Sequence, residues 1–149
     1  MRKAAHLTLI LLFALLSGSY SHVESSQTYE VSVKITNIRN SKGTMQLQVY
    51  RSQKAFAAET PYKTFRISKK NVSGKVLRYK IKGLPKDYYG VALLDDENSN
   101  KLMDYGLILP KEGFGFSDYY HKGWSKPSYY DFNFYLKENK SVSMKVRYM

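Results

Sequence analysis

Apolar and polar side chains alternate in the stretch that decides the fold of this chain, Tyr29-Glu30-Val31-Ser32-Val33-Lys34-Ile35-Thr36. A period of two residues is typical of a β-strand with one face in the core and the other in water. The alternation returns at residues 45–49, after a turn-forming cluster at residues 40–43 that contains Asn, Ser and Gly. The two patterns and the turn between them predict a β-hairpin.

Further strand patterns follow downstream. Residues 75–82 alternate again, and residues 88–94 are apolar almost throughout, which is typical of a central strand. Residues 132–136 and 142–148 alternate around a short polar stretch and predict a final hairpin, whereas residues 52–62 favour no more than one helical turn. About seven strands and almost no helix predict a single antiparallel β-sandwich with a long loop between late strands.

The first residues have the pattern of a secretory signal peptide. Arg2 and Lys3 precede a ten-residue apolar run from Leu7 to Leu16, and small polar residues follow up to Ser21. The run has roughly half of the ~20 residues that a membrane-spanning helix needs. We therefore predict a signal peptide at 1–21, a polar arm at 22–28 and one domain at 29–149, exported to the periplasm or outside the cell without a transmembrane anchor.

The charge balance is strongly basic. The chain has 24 Lys and Arg against 12 Asp and Glu, a formal charge of +12, and removing Arg2 and Lys3 with the leader leaves +10. Such a charge favours anionic partners, and export together with the lack of a nucleic-acid-binding motif argues against nucleic acid. An anionic glycan or another envelope component is the expected partner, unless the charge serves only to keep the protein in solution.

The longest segment without a strand pattern, residues 95–131, begins with an acidic loop. Oxygen-bearing side chains stand at alternate positions in Asp96, Asn98 and Asn100, and Asp104 is ninth from Asp96. Positions one, three, five and nine of a calcium loop have this spacing, so these four residues are candidate ligands for calcium. The alternative is a metal-free turn in which Asn and Asp side chains bond their own backbone. Lys101, where a calcium loop usually has Gly, favours that alternative.

Several motifs of this region recur together in one known family. Their order is Gly90-Val91-Ala92-Leu93, Asp96-Glu97-Asn98-Ser99-Asn100, Asp104 and Pro110-Lys111-Glu112-Gly113-Phe114-Gly115-Phe116-Ser117. From about Val31 onward the chain resembles the uncharacterised bacterial family called domain of unknown function 2141. The resemblance implies an exported β-sandwich of the transthyretin-like or immunoglobulin-like kind and supplies no known activity. In this chain Glu112 is a further candidate metal ligand, although its glycine-rich segment would equally serve as a structural clamp.

Two sets of residues are candidates for glycan binding. The long loop is rich in aromatic side chains that would stack on sugar rings or, alternatively, cover one end of the sandwich. The strand at residues 75–82 presents a row of basic side chains that would meet an anionic group. These candidate ligand-binding residues are Tyr119, Tyr120, Trp124, Tyr129, Tyr130, Arg78, Lys80 and Lys82.

Enzymatic chemistry has few candidates in this sequence. Ser117, Asp118 and His121 share one loop without the strand-turn-helix context of a nucleophile elbow. Asp96 and Glu112 would form the carboxylate pair of a hydrolase only at a suitable separation. The leading hypothesis is therefore a non-enzymatic exported module, with an anionic-glycan binder and a carboxylate-based hydrolase as the alternatives.

Overall fold

The alternating segments of the sequence form strands in the computed structural model, which describes residues 27–70, 72 and 74–149. The predicted signal peptide and most of the polar arm lie outside these residues. Within the described ranges the chain has eight strands, one short helix and one turn of 3-10 helix. In chain order they are β1 (Thr28–Thr36), β2 (Thr44–Tyr50), α1 (Gln53–Ala57), β3 (Lys63–Ser68), β4 (Leu77–Pro85), β5 (Asp87–Asp96), β6 (Gly113–Phe116), the 3-10 turn (Tyr129–Asp131), β7 (Asn133–Leu136) and β8 (Lys140–Lys145).

The strands form two sheets packed as a sandwich, as the sequence predicts. One sheet has three strands in the order β4-β1-β8, and the other has the order β3-β2-β5-β6, with β7 paired to the first half of β5. The β5 strand is central, as expected. The sandwich is not wholly antiparallel, because β8 runs parallel to β1 from Val31↔Lys140 to Thr36↔Lys145.

Both predicted hairpins are wrong. The β1 strand pairs with β4 and β8, whereas β2 pairs with β3 and β5, so the turn after β1 carries the chain from one sheet to the other. Likewise β7 pairs with β5, and β8 pairs with β1. Turn residues such as Gly43, at φ +70°, mark the change of direction, but the partner of each strand is decided by contacts with distant segments.

The main core lies between the two sheets and is built by the alternating residues. Val31, Val33 and Ile35 on β1 face Leu47 and Val91 on the opposite sheet, and each is at most 2% exposed. Burying each aliphatic side chain of this size contributes about 1.5–3 kcal/mol before entropy is counted. The strict alternation in β1 and β2 is therefore the sequence signal of this interior.

A second apolar cluster covers the outer face of the five-stranded sheet. Phe56 of α1 packs edge-on against Tyr50 and Phe132, with ring centroids 5.2 and 4.9 Å apart. Ser52 starts α1 by accepting a hydrogen bond from the Ala55 amide at 3.2 Å. Because this sheet is buried on both faces, β5 is apolar along most of its length.

No helix in the described part of the chain is long and apolar enough to cross a membrane.

Candidate functional site

The acidic loop starts where β5 ends, and Asp96 holds it in place. Asp96 is fully buried, and its Oδ1 accepts a hydrogen bond from the Asn100 amide at 3.0 Å. Its Oδ2 accepts from the Lys101 amide and from Gln46 Nε2, both at 2.9 Å. The carboxylate therefore closes the turn around its own backbone and ties it to β2.

Asn98, Asn100 and Asp104 complete this turn. The two side-chain amides donate to the Asp104 carboxylate, over 2.5 Å from Asn98 Nδ2 and 2.9 Å from Asn100 Nδ2. Their oxygens accept from the backbone amides of Asn100 and Leu102. Lys101 adopts φ +73° where a calcium loop usually has Gly. These are the bonds of a self-supporting Asx turn.

Glu112 joins the two ends of the loop. Its Oε1 accepts from the Glu97 amide at 3.0 Å and its Oε2 from the Asp104 amide at 3.2 Å. Burial raises the pKa of this carboxyl. Within the described ranges no group of three or more His, Cys, Asp and Glu side chains is placed to hold a metal ion. The oxygens of Asp96, Asn98 and Asn100 hold the turn closed by accepting hydrogen bonds from backbone amides.

A buried ion pair beside the loop was not predicted from the sequence. Lys69 and Asp95 are both fully buried, and Lys69 Nζ contacts Asp95 Oδ1. Tyr148 donates to the other oxygen of Asp95 at 2.5 Å, and burial raises the pKa of the Tyr148 phenol. Lys69 stands in a polar stretch that has no core pattern, so only the three-dimensional contacts reveal its role.

The predicted aromatic platform is divided among several environments. Tyr119 and Tyr129 pack in the second apolar cluster, which covers the outer face of the five-stranded sheet and not one end of the sandwich. Tyr120 lies under Lys145, whose Nζ is 5.0 Å from the ring centroid. Trp124 and Tyr130 are exposed. The five side chains therefore do not share one surface.

The predicted basic row lies on the other sheet. Arg78, Lys80 and Lys82 are exposed on β4, where they alternate with side chains that face the core. Lys80 is paired with Glu30 at 2.8 Å. Tyr119 and Tyr129 cover the outer face of the five-stranded sheet, so the basic row and these aromatic residues lie on opposite sides of the sandwich.

Ser117 and Asp118 of the candidate catalytic triad are hydrogen-bonded to separate segments of the chain. The Ser117 hydroxyl donates to the Phe132 carbonyl at 2.7 Å and accepts from the Val91 amide at 3.0 Å. Asp118 accepts from the Ser143 amide at 2.7 Å. These contacts fasten the long loop to β5 and β8. The carboxylates of the hydrolase alternative, Asp96 and Glu112, are the buried anchors of the acidic loop described above.

The structure reveals a cleft on the outer face of the five-stranded sheet, with a volume of about 500 Å³. Its floor is formed by side chains of β2, β3, β5 and β6, including Gln46, Gln48 and Arg66. One wall is the loop that follows the acidic turn, with Tyr105 and Ile108, and the other contains Trp124. Trp124 is 78% exposed and Ile108 86% exposed, so the cleft has open apolar walls.

Two buried acceptors in the lining of this cleft have no hydrogen-bond donor within the described part of the chain. They are Gln46 Oε1 and His121 Nδ1. His121 Nε2 lies 2.7 Å from the Ser125 carbonyl oxygen, which can only accept, so Nε2 carries the hydrogen and Nδ1 of the neutral ring is an acceptor. A buried acceptor without a donor costs about 1–3 kcal/mol. Both atoms are covered by neighbouring protein atoms, so they do not open onto the cleft.

Comparison with known protein families gives a match over residues 33–145, to the model described as an uncharacterised protein conserved in bacteria. No curated protein and no solved structure matches the chain. The matched range covers most of the chain and includes both sheets, the acidic loop and most of the cleft lining. The chain therefore belongs to the uncharacterised bacterial family DUF2141.

Proposed function

We propose that this protein is an exported, non-enzymatic module that binds an anionic glycan in the cleft of the five-stranded sheet. The observation that carries the proposal is a cleft that combines the exposed ring of Trp124 with the basic side chains of Arg66 and Lys101. Export is proposed from the leader pattern at residues 1–21. The acidic loop serves this module as a structural turn beside the cleft.

The chemistry of the cleft fits an acidic sugar better than a wholly apolar ligand. Sugar hydroxyls can bond polar side chains of the cleft lining such as Gln48 and Thr64, and the C–H face of a sugar ring packs well on an aromatic ring such as Trp124. Arg66 and Lys101 also line the cleft, and neither takes part in an ion pair within the described residues. A carboxylate or sulfate on the sugar would pair with them.

Fluorescence titration tests this proposal directly, because Trp124 is the only tryptophan of the chain. The probes are oligosaccharides of uronic acids and neutral hexose oligosaccharides of the same length. We expect the acidic probes to change Trp124 emission and the neutral probes to bind more weakly. Arg66→Ala should weaken acidic binding about tenfold, equivalent to about 1.4 kcal/mol.

Arg78→Ala is the matched control, since it removes the same charge from the opposite sheet. The proposal requires this variant to bind as the unmodified protein does. Calorimetry on Trp124→Ala, in which the reporter is absent, should show weakened binding. Unchanged affinity in Trp124→Ala and Arg66→Ala, or equal affinity for neutral and acidic probes, would remove the cleft as an anionic-glycan site.

A further inference from the structure

We infer that a small hairpin beside the cleft docks on an anionic lipid surface, with Leu107 and Ile108 entering the lipid. Residues 104–111 form this hairpin, which we call the apex hairpin. Tyr105 and Pro110 form its bridge, the Lys111 amide donates to the Asp104 carbonyl at 2.8 Å, and the Gly106 amide donates to the Leu109 carbonyl at 2.7 Å. The inference does not depend on the glycan proposal.

The composition of the tip requires an explanation. Turns are usually built from Gly, Pro, Asn, Asp and Ser, yet this one places two adjacent aliphatic side chains at its end. Leu107 is fully exposed and Ile108 nearly so. Leu102 and Tyr105 add exposed apolar area at the base of the same loop. Because the backbone bonds hold the tip outward, these side chains do not reach the core of the domain.

The charged residues around the tip indicate what kind of surface it binds. Lys111 is the last residue of the hairpin, and its side chain runs along Gly106, where a Cβ atom would lie 3.8 Å from Lys111 Cε. Lys101 is exposed on the approach to the hairpin. Aliphatic and aromatic side chains flanked by lysines are typical of segments that lie in the interface of an anionic membrane.

The acidic residues near the hairpin base are hydrogen-bonded to other residues of the domain. Glu97 pairs with Arg39 at 2.5 Å, and this hydrogen-bonded pair lowers the pKa of the Glu97 carboxyl. Asp104 accepts from two asparagine amides, and Glu112 is buried. The exposed basic groups next to the tip are therefore Lys101 and Lys111. A convex tip of two side chains also suits shallow insertion into lipid better than a flat protein interface.

Vesicle flotation tests the inference with the chain from residue 22 onward, which keeps every described strand and lacks the apolar leader. The vesicles are phosphatidylcholine alone and phosphatidylcholine with phosphatidylglycerol. We expect binding to the anionic vesicles only, accompanied by a blue shift of Trp124 emission. Leu107→Asp with Ile108→Asp should reduce this binding at least about tenfold, and Lys111→Glu should reduce it several-fold. Circular dichroism confirms that the variants fold.

Two controls distinguish binding through the tip from nonspecific electrostatic attraction and from binding through the cleft. Arg78→Glu with Lys82→Glu places acidic charge on the opposite sheet and should retain most of the binding. Arg66→Ala, which tests the glycan proposal, should float like the unmodified protein. Equal binding to neutral vesicles, no binding to either kind, or full binding by the Leu107 and Ile108 variant would overturn the inference. A dimer in light scattering that the same variant dissociates would assign the tip to a second copy instead.

Discussion

Lys69 stabilises the start of the acidic loop, although it is not one of the candidate metal ligands. It is fully buried, which is rare for lysine unless the charge is paired, and its partner Asp95 immediately precedes the acidic loop. Lys69 Nζ also donates to Asn40 Oδ1 at 3.3 Å, and Tyr148 completes the bonding of Asp95. Three distant segments thus meet at one carboxylate.

We expect Lys69→Met to destabilise the protein by about 3–5 kcal/mol, because Asp95 would remain buried without a compensating charge. Tyr148→Phe removes two hydrogen bonds, the one donated to Asp95 and the one accepted from the Arg39 amide, and leaves the ion pair, so it should cost about 1–3 kcal/mol. Urea unfolding followed by circular dichroism measures both. If Tyr148→Phe cost more than Lys69→Met, the ion pair would not be the main contribution.

At the scale of elements, alternation predicted most strands and none of their partners. The β1, β2 and β4 strands were recognised because apolar and polar residues alternate along each of them. The β3 strand was missed although Phe65 and Ile67 alternate with Thr64 and Arg66, and β6 was missed because Gly113 and Gly115 favoured a loop. Gly113 lies so close to Val146 that a Cβ atom would be 2.5 Å from its Cγ1. That requirement for Gly is set by a neighbouring segment.

The acidic loop is also an element of the fold. Its response to calcium tests whether it is a metal-free turn or a calcium site. We expect millimolar calcium to leave the melting temperature unchanged, because hydrogen bonds already hold the loop closed and no group of three His, Cys, Asp or Glu side chains in the described ranges is placed to hold a metal ion. Asp96→Ala should lower the melting temperature by the same amount with and without calcium, since it removes the anchor of the turn. The loss should be about 1–3 kcal/mol or more, because the Gln46 amide and two backbone amides lose their acceptor.

Chelation provides the reverse measurement. A melting temperature that rises with calcium, falls on chelation and no longer responds in Asp96→Ala would establish the calcium site that the spacing of Asp96, Asn98, Asn100 and Asp104 predicts.

For the whole molecule, the sandwich was predictable and the cleft was not. A fold class follows from the number and pattern of strands, which are local properties of the sequence. The cleft combines Gln46, Arg66, Ile108 and Trp124, which are distant in sequence and meet only after the sheet and loops have assembled. Its buried acceptors are recognisable only once their neighbours are known. The aromatic residues of the long loop indicated a binding surface, but only Trp124 among the five candidates lines the cleft.

Residues 146–149 connect the two sheets. Their removal tests how much this connection contributes to the stability of the sandwich. The Val146 amide donates to the Thr36 carbonyl in the three-stranded sheet, and the next residue, Arg147, exchanges two backbone hydrogen bonds with Phe114 in the other. Deleting residues 146–149 would also expose the core around Val146 and remove the Tyr148 contact. We expect a loss of more than about 3 kcal/mol in urea unfolding.

Arg147→Ala distinguishes the contribution of the backbone bonds at residues 146–149 from that of the Arg147 side chain. This variant keeps the backbone bonds to Phe114. It loses the Nη1 contacts with the carbonyls of His121 and Gly123, at 2.9 and 2.8 Å, and the guanidinium that lies 5.9 Å from the centroid of the Phe114 ring. It should therefore cost about 1–3 kcal/mol, clearly less than the deletion. It should also weaken ligand binding by the cleft, because those contacts hold the segment that leads from His121 to Trp124. A deletion no more costly than Arg147→Ala would mean that the sheets are held together by the central core alone.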